Sequence, residues 1–501
     1  MVRLAQRRPL RLHLAFAASI ANLQCKGTGM EMNMKRSGAY AWGVAIAALA
    51  AVLPLSPVRA QSAEQDALKP TLNDGYDTPD ALRFDWPAFT IGTGQYEDGP
   101  TGLTVFRFNR KVLAAVDVRG GGPGTVNTEY LGIGYPFPEL DSVVFSGGSW
   151  YGLEAVTAVN TALKDEGYRG GNWDNVGLTV GSIIYDFGGR RLNEIYPDKR
   201  LAQAALKAAV PGVFPRGAYG AGRSAVSGSI FGCNAHSGQG GAFRQVGDLK
   251  IAAFTVVNAL GVVTDRDGRT AACYPDKAWP AGFRTRDILA GTPDSGKPGW
   301  TGVDPSSEKK NTTISLIVVN QKMEPWELKR LAIQVHTSMA RGIQPFQTEF
   351  DGDVLYAVST AEYEPADDKR IGLLDIGTIT SEVMWDAILS AVTPQPQAAF
   401  EAPPRRATDA AALRKLAGRY RFSALAELEL KVEDGRLFGQ AVGERRVFGI
   451  PKEAAVEIIP TETGDYVVPG RYPTVLRFDA RGGLTINPGR WKQRGRKRGD
   501  R

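Results

Sequence analysis

Apolar and polar residues alternate with period two over 82–92 and 101–108, and an apolar run over 112–118 continues the pattern, which predicts successive half-buried strands. The period then lengthens. Leu153, Val156, Val159 and Leu163 recur at helical spacing after the turn Gly147-Gly148, and 198–209 reads as a second helix stopped by Pro211-Gly212. A short strand is expected at 183–187, ending at Gly188-Gly189. Two nearly continuous apolar runs, 249–257 and 313–319, read as strands buried on both faces. The first closes on Asn258 and the second follows the polar step Asn311-Thr312. From Pro325 the pattern is helical again, with Leu328, Leu331, Ala332, Val335 and Met339 on one stripe. The turn Phe350-Asp351-Gly352-Asp353 leads into a strand at 354–359, and 379–392 is expected to be the last helix of this domain.

Residues 393–413, opening on Thr393-Pro-Gln-Pro and containing Pro403-Pro404, have the composition of a linker. Over 414–489, period-two segments between Gly and Asp turns predict a small antiparallel β module. The end of the chain, 490–501, carries seven basic residues and one acidic, and reads as a disordered basic tail. Within the large domain the Gly-rich turn Arg119-Gly-Gly-Gly-Pro-Gly lacks the Gly-Lys-Ser/Thr of a phosphate loop, so it is expected to be a structural turn at the rim of a site. The segment 292–310, dense in Gly, Pro, Ser and charge, reads as a mobile, accessible loop.

Composition changes this picture little until the first 60 residues are set apart. The chain of 501 residues is 43% apolar and 23% charged, which suits a globular protein of two to three domains. Its formal charge of +7 invites a nucleic-acid partner, but residues 1–60 hold eight basic residues and one acidic, leaving 52 of each sign in the remainder. Without that leader nothing global favours a polyanion. Met34-Lys35-Arg36, the apolar stretch 39–55 and Val58-Arg59-Ala60 have the parts of a secretory signal cleaved after Ala60, with translation starting at Met34. A secreted or periplasmic protein without stable membrane insertion is expected, beginning with a polar segment over 61–81.

Cys233 and Cys273 are then the cysteines that remain, able to pair or to stay free. Neither lies in a zinc-ligand spacing, and no metal or cofactor is called for. His236 and His336 read as incidental, which disfavours a Ser-His-Asp triad. Candidate chemistry falls instead on Thr312. If the bond after Asn311 broke, Thr312 would carry its own general base, because a free α-amine has a pKa of about 7.7–8.0 and lies within reach of its own hydroxyl. Asp351 and Asp353, flanking one glycine, are by themselves a solvated turn or a cation site.

Several motifs together resemble one family. These are Gly94-Gln-Tyr-Glu-Asp-Gly-Pro-Thr-Gly, Asp117-Val-Arg-Gly-Gly, Gly152-Leu-Glu-Ala, Ile184-Tyr-Asp-Phe, Gly238-Gln-Gly-Gly-Ala-Phe-Arg, Asn311-Thr-Thr-Ile-Ser, Asp351-Gly-Asp and Ser381-Glu-Val-Met-Trp-Asp-Ala. The stretch 82–392 resembles the self-processing aminopeptidase/D-esterase (DmpA-type) hydrolases, and within them the nylon-oligomer hydrolases. The resemblance implies an α+β fold built as a four-layer αββα sandwich, cut between Asn311 and Thr312. It implies Thr312 as the nucleophile, Tyr185 and Asn258 lining the nucleophile and oxyanion region, and Asp351 and Asp353 orienting the new amine and hydroxyl. It also implies a homo-oligomer of αβ heterodimers, a tetramer, acting on small linear amides or peptides such as 6-aminohexanoate oligomers. The β module is similar to lipocalin-like appendages of secreted hydrolases.

One departure stands out. Where nylon-oligomer hydrolases carry a Lys, this chain reads Ser227-Gly-Ser229-Ile. Either another cation takes its place, or rate, pH optimum or substrate differs. Three other readings stay open: an aminopeptidase or esterase for D- or β-amino-acid amides, an acyltransferase of the ornithine-acetyltransferase type, and a binding protein that has lost catalysis.

Overall fold

The computed structural model describes residues 65–132, 134–167, 175–279, 282–290, 311–393 and 400–499. The expected signal sequence and the Gly/Pro-rich segment upstream of Asn311 lie outside the described residues. The principal elements of the large domain are β1 (Phe89–Tyr96), β2 (Thr101–Val118), β3 (Glu139–Ser146), α1 (Glu154–Asp165), β4 (Thr179–Ile183), α2 (Lys199–Lys207), β5 (Gln239–Val246), β6 (Leu249–Asn258), β7 (Thr312–Gln321), α3 (Pro325–Ser338), β8 (Val354–Tyr363) and α4 (Leu373–Ser390). The fold is α+β.

The hydrogen-bonded order is β5-β6-β7-β8-β2-β3-β4, and β1 pairs with the first half of β2. At 18 residues β2 is long enough to change partners: its first half lies between β1 and β3, and its second half runs antiparallel to β8. β7 and β8 are parallel, as are β3 and β4.

Alternating side chains of these strands feed different cores. Phe89, Phe106 and Phe145 from β1–β3 meet Phe254, Leu316 and Tyr356 from β6–β8 in one cluster. The opposite face of β6–β8 packs under α3 and α4 through Ile317, Leu355, Leu331 and Met384. The opposite face of β1–β3 packs under α1 and α2 through Val105, Val144, Val159 and Leu201. This double burial is why β6 and β7 read as continuous apolar runs. Both helix layers close onto strand glycines: a Cβ at Gly92 would stand 2.0 Å from Ala205 O of α2, and one at Gly240 1.9 Å from Ala387 O of α4.

Helix starts follow local chemistry. Asp198 caps α2 by accepting from Leu201 N at 2.9 Å, and Glu324 with Glu327 forms a capping box around Pro325 at the head of α3. α4 begins six residues earlier than its apolar stripe suggests. Gly377 argues against helix by propensity, yet here it admits the Gln334 side chain from α3, whose atoms lie 2.5 Å from where a Cβ would be. The strand expected at 183–187 stops at Ile183, and 184–187 continues as irregular backbone. The segment read as polar, 61–81, is packed where it is described: Thr71–Leu72 pairs with β1, and Leu68 and Tyr76 are buried. Cys233 and Cys273 form a disulfide.

The C-terminal module is a closed antiparallel barrel of eight strands, β9–β16: Gly418–Arg421, Glu427–Glu433, Arg436–Ala441, Val456–Pro460, Tyr466–Val468, Thr474–Phe478, Gly483–Ile486 and Gln493–Lys497. Its interior is filled by Leu428, Leu430, Leu437, Ile458, Leu476, Leu484 and Ile486. The helix α5 (Ala410–Leu416), which spans the expected boundary between linker and β module, inserts Leu413 into the same cluster. The basic tail is the largest correction. Gln493–Lys497 is β16, which closes the barrel by pairing with both β15 and β9. Its inward residues are only Gln493 and Gly495, and the ring of Phe422 fills the space beside Gly495. Outward arginines therefore dominate its sequence and hide the period.

No helix among the described residues is long and apolar enough to cross a membrane. Gly240→Ala is expected to lower stability by about 1–3 kcal/mol, because α4 must move off β5 to admit the methyl group. A thermal unfolding midpoint equal to that of the wild type would contradict this packing.

Candidate active site

The site forms where β6, β7 and the turn before β8 meet. In the antiparallel β6–β7 ladder Asn258 is the register partner of Thr312, so their side chains share one face of the sheet. Asn311 makes a parallel bridge to Asp351, three residues before the first pair of the β7–β8 ladder. All five of Asn258, Asn311, Thr312, Asp351 and Asp353 are buried, none more than 3% exposed.

In this uncut chain the Asn311 carbonyl oxygen receives two donors. The Thr312 hydroxyl donates to it at 2.5 Å and the Gly352 backbone N–H at 3.0 Å. A Cβ on Gly352 would stand 2.9 Å from Thr312 Oγ1 and 2.7 Å from Gly122 O, so a side chain there would crowd the hydroxyl. The Gly-rich turn expected at a site rim does border this one. Gly122 N donates to Asp351 O at 2.8 Å, Arg119 N and Gly120 N both donate to Asp353 O, and a Cβ on Gly120 would fall 2.1 Å from Asp353 N.

Asp353 accepts from Thr313 N at 2.6 Å and from Gln347 N at 3.0 Å. Asp351 accepts from the Thr348 hydroxyl at 2.7 Å and from Leu260 N at 3.2 Å. The pair thus ties β7, the 347–348 turn and the segment after β6 together. In this state it reaches the backbone next to Thr312 rather than the hydroxyl itself. Burial raises the Asp353 carboxyl well above the usual range, with the Asp351 charge adding to the effect, and burial also raises Asp351.

Asn258 is hydrogen-bonded through both side-chain heteroatoms: its Oδ1 accepts from Arg190 Nη1 at 2.5 Å and Val226 N at 3.2 Å, and its Nδ2 donates to Tyr185 O at 3.0 Å. Tyr185 therefore meets Asn258 through its main chain. Ser229 does sit at the junction, its hydroxyl donating to Asn311 Oδ1 at 3.3 Å. Arg190 and the Gly352 amide were missed from sequence. Arg190 brings a cation beside Asn258, and its one visible signal was the Gly188-Gly189-Arg190-Arg191 step following Ile184-Tyr-Asp-Phe. A backbone N–H carries no residue signature at all. His336 lies apart, its Nδ1 2.9 Å from Asp117 Oδ2, and His236 stacks on Trp491. Among the described residues no three His, Cys, Asp or Glu cluster as a metal site would.

Residues 85–402 match Peptidase family S58. The chain belongs to that family. It is similar to the 6-aminohexanoate-oligomer endohydrolase of Paenarthrobacter ureafaciens, 42% identical over 62% of this chain and 85% of that protein. The corresponding endohydrolase of Kocuria sp. (strain KY2) is 41% identical over 65% of this chain and 88% of its own length. A solved Burkholderia sp. beta-aminopeptidase aligns over 61% of this chain and 84% of that one, at 18% identity and a TM-score of 0.44. As a family S58 member the protein is an amide hydrolase, and the barrel lies beyond the matched stretch.

For this hydrolase the raised acid pair fixes the sign of one pH effect. Between the unfolded carboxyl pKa of about 4 and the higher folded value, the native state holds more protons than the unfolded chain, so stability falls as pH rises through that window. Asp353→Asn removes this contribution. The slope of unfolding free energy against pH above about 4 should be more negative in the wild type than in Asp353→Asn, and the opposite order would contradict the assignment.

Proposed function

We propose that the chain severs its own Asn311–Thr312 bond and that the freed Thr312 is the nucleophile of a hydrolase for linear amide oligomers of the 6-aminohexanoate kind. The observation that carries this reading is the Asn311 carbonyl oxygen, held by a backbone N–H while the Thr312 hydroxyl lies against it. A carbonyl so held is set up to carry negative charge, and one such donor is commonly worth about 2.7–4 kcal/mol in the transition state.

In processing, Thr312 Oγ1 bonds to the Asn311 carbonyl carbon and its proton leaves to a base. The charge gathers on the oxygen facing Gly352 N–H, and the C–N bond breaks with a proton delivered to nitrogen. Asn311 is then esterified to Thr312, and water releases the Asn311 carboxylate and the free hydroxyl. The α-nitrogen is still an amide during the attack and cannot serve as base. Asp351 and Asp353, raised by burial and packed beside the junction, are the candidate acceptors. Once cut, the new amine takes over as base for Thr312, and the acid pair holds it in place while it passes protons. A substrate carbonyl occupies the position Asn311 vacates and its carbon bonds to Thr312 Oγ1; the substrate C–N bond breaks as the amine leaves with a proton, and water then hydrolyses the ester to release the acid and restore the hydroxyl.

The surroundings fit. The three core clusters, one between strand faces and one under each helix pair, support a four-layer αββα arrangement. The Cys233–Cys273 disulfide supports an oxidising compartment, secreted or periplasmic, after loss of the leader. Arg190 is the candidate for the cation that Ser229 does not supply. An oligomer of cut chains completes the reading.

Wild-type protein should run as two fragments on a denaturing gel, one beginning at Thr312, and Thr312→Ala as a single inactive chain. Cut protein should hydrolyse linear oligomers whether their amino end is free or capped. An intact, active wild type would sink the nucleophile assignment, and strict dependence on a free amino end would replace the oligomer reading with an aminopeptidase.

A further inference from the structure

Three of the segments that touch Asn258 or Asn311 share a property that the family match does not account for: each is held from outside by a side chain of the C-terminal barrel. Gln493, only 2% exposed, accepts from Leu192 N through Oε1 and donates to Arg190 O through Nε2 at 2.6 Å. It thus brackets the turn whose Arg190 reaches Asn258 Oδ1 at 2.5 Å. The Leu192 side chain is itself part of the barrel's apolar cluster. The Tyr472 hydroxyl donates to Gly232 O at 2.5 Å and accepts from Asn234 Nδ2 at 2.9 Å. Gly232 closes the turn Ser229–Phe231, whose first residue donates to Asn311 Oδ1. Trp491 stacks on His236 with ring centroids 3.8 Å apart and planes 19° apart. His236 pairs with Val226, whose N–H donates to Asn258 Oδ1. Burial pushes His236 down to about 4, so near pH 7 the imidazole meets the indole as a neutral ring.

We propose that the barrel is a positioning element of the hydrolytic site, in which Tyr472, Trp491 and Gln493 fix the Ser229, Val226 and Arg190 segments around Asn258 and Asn311. This rests on the reading of Thr312 as nucleophile. None of the three touches Thr312 among the described contacts, so they act through other residues. Their effect is geometric: a misplacement of about 1 Å at a reacting centre can cost on the order of a hundredfold in rate. The Trp491 and Gln493 contacts explain why 490–493, read from sequence as part of a disordered basic tail, is folded against the large domain. Arg490 joins them, donating to Asp74 at 2.7 Å and lying over the Tyr219 ring.

The test uses the full-length chain with Trp491→Ala, Gln493→Ala and Tyr472→Phe, the last removing a single hydroxyl and so carrying the test if the others fail to fold. Rates are read per folded molecule, well below the unfolding midpoint, for self-cleavage and for turnover of a linear 6-aminohexanoate oligomer. The expected result is slower self-cleavage and a kcat lowered about tenfold to a hundredfold with KM changed far less, and recovery of most of the kcat in Trp491→Phe, which keeps a ring over His236. Wild-type kcat and cleavage rate in all folded variants would overturn the proposal, as would a loss confined to the amount of folded protein. Thr312→Ala separates the two levels: activity surviving in it refutes the nucleophile reading itself, whereas loss in Thr312→Ala with wild-type rates in the barrel variants refutes only the positioning role.

Discussion

One carbonyl oxygen concentrates the constraints on this molecule. The Asn311 oxygen sits where β7 enters the sheet, facing the Gly352 N–H from one neighbouring element and the Thr312 hydroxyl from its own chain. Holding it there requires the turn before β8 to come within one residue of β7, and that turn can approach only because Gly120 and Gly352 lack side chains. The acid pair then pins the turn: Asp353 to Thr313 and Gln347, Asp351 to Leu260 and Thr348. Burying two carboxyl groups so close together is costly unless protons are retained. The same burial that raises their pKa makes each carboxylate a stronger proton acceptor than an exposed one.

The packing around this point explains its rigidity. β7 is apolar on both faces because one serves the core shared with β1–β3 and the other the core under α3 and α4. A strand fixed on two faces and on both edges, by β6 and β8, leaves its first residue little freedom. Thr312 is therefore positioned by the whole sheet, and Asn258 by its register with Thr312.

Much of this was legible in the sequence, for stated reasons. Double burial writes β6 and β7 as apolar runs, Pro211-Gly212 marks the stop after α2 and Pro325 the first turn of α3, and the Asn311-Thr312 step is visible because it is a polar interruption at the head of such a run. What escaped detection depends on approach in space. Arg190 meets Asn258 from 68 positions away, the Gly352 donor is main chain, and the barrel's closing strand hides its period behind outward arginines. Asp351 and Asp353 were singled out, but their commitment to backbone donors could not be read from spacing.

The proposed mechanism turns on an ester between Asn311 and Thr312 Oγ1, which hydroxylamine would attack far faster than an amide. Freshly made full-length chain treated with hydroxylamine should yield an upstream fragment ending in an Asn311 hydroxamate and a downstream fragment beginning at Thr312, both identified by mass spectrometry. Thr312→Ala should yield neither. Scission at another bond, or unaltered cleavage with no hydroxamate on Asn311, would contradict attack by Thr312 on its own preceding carbonyl.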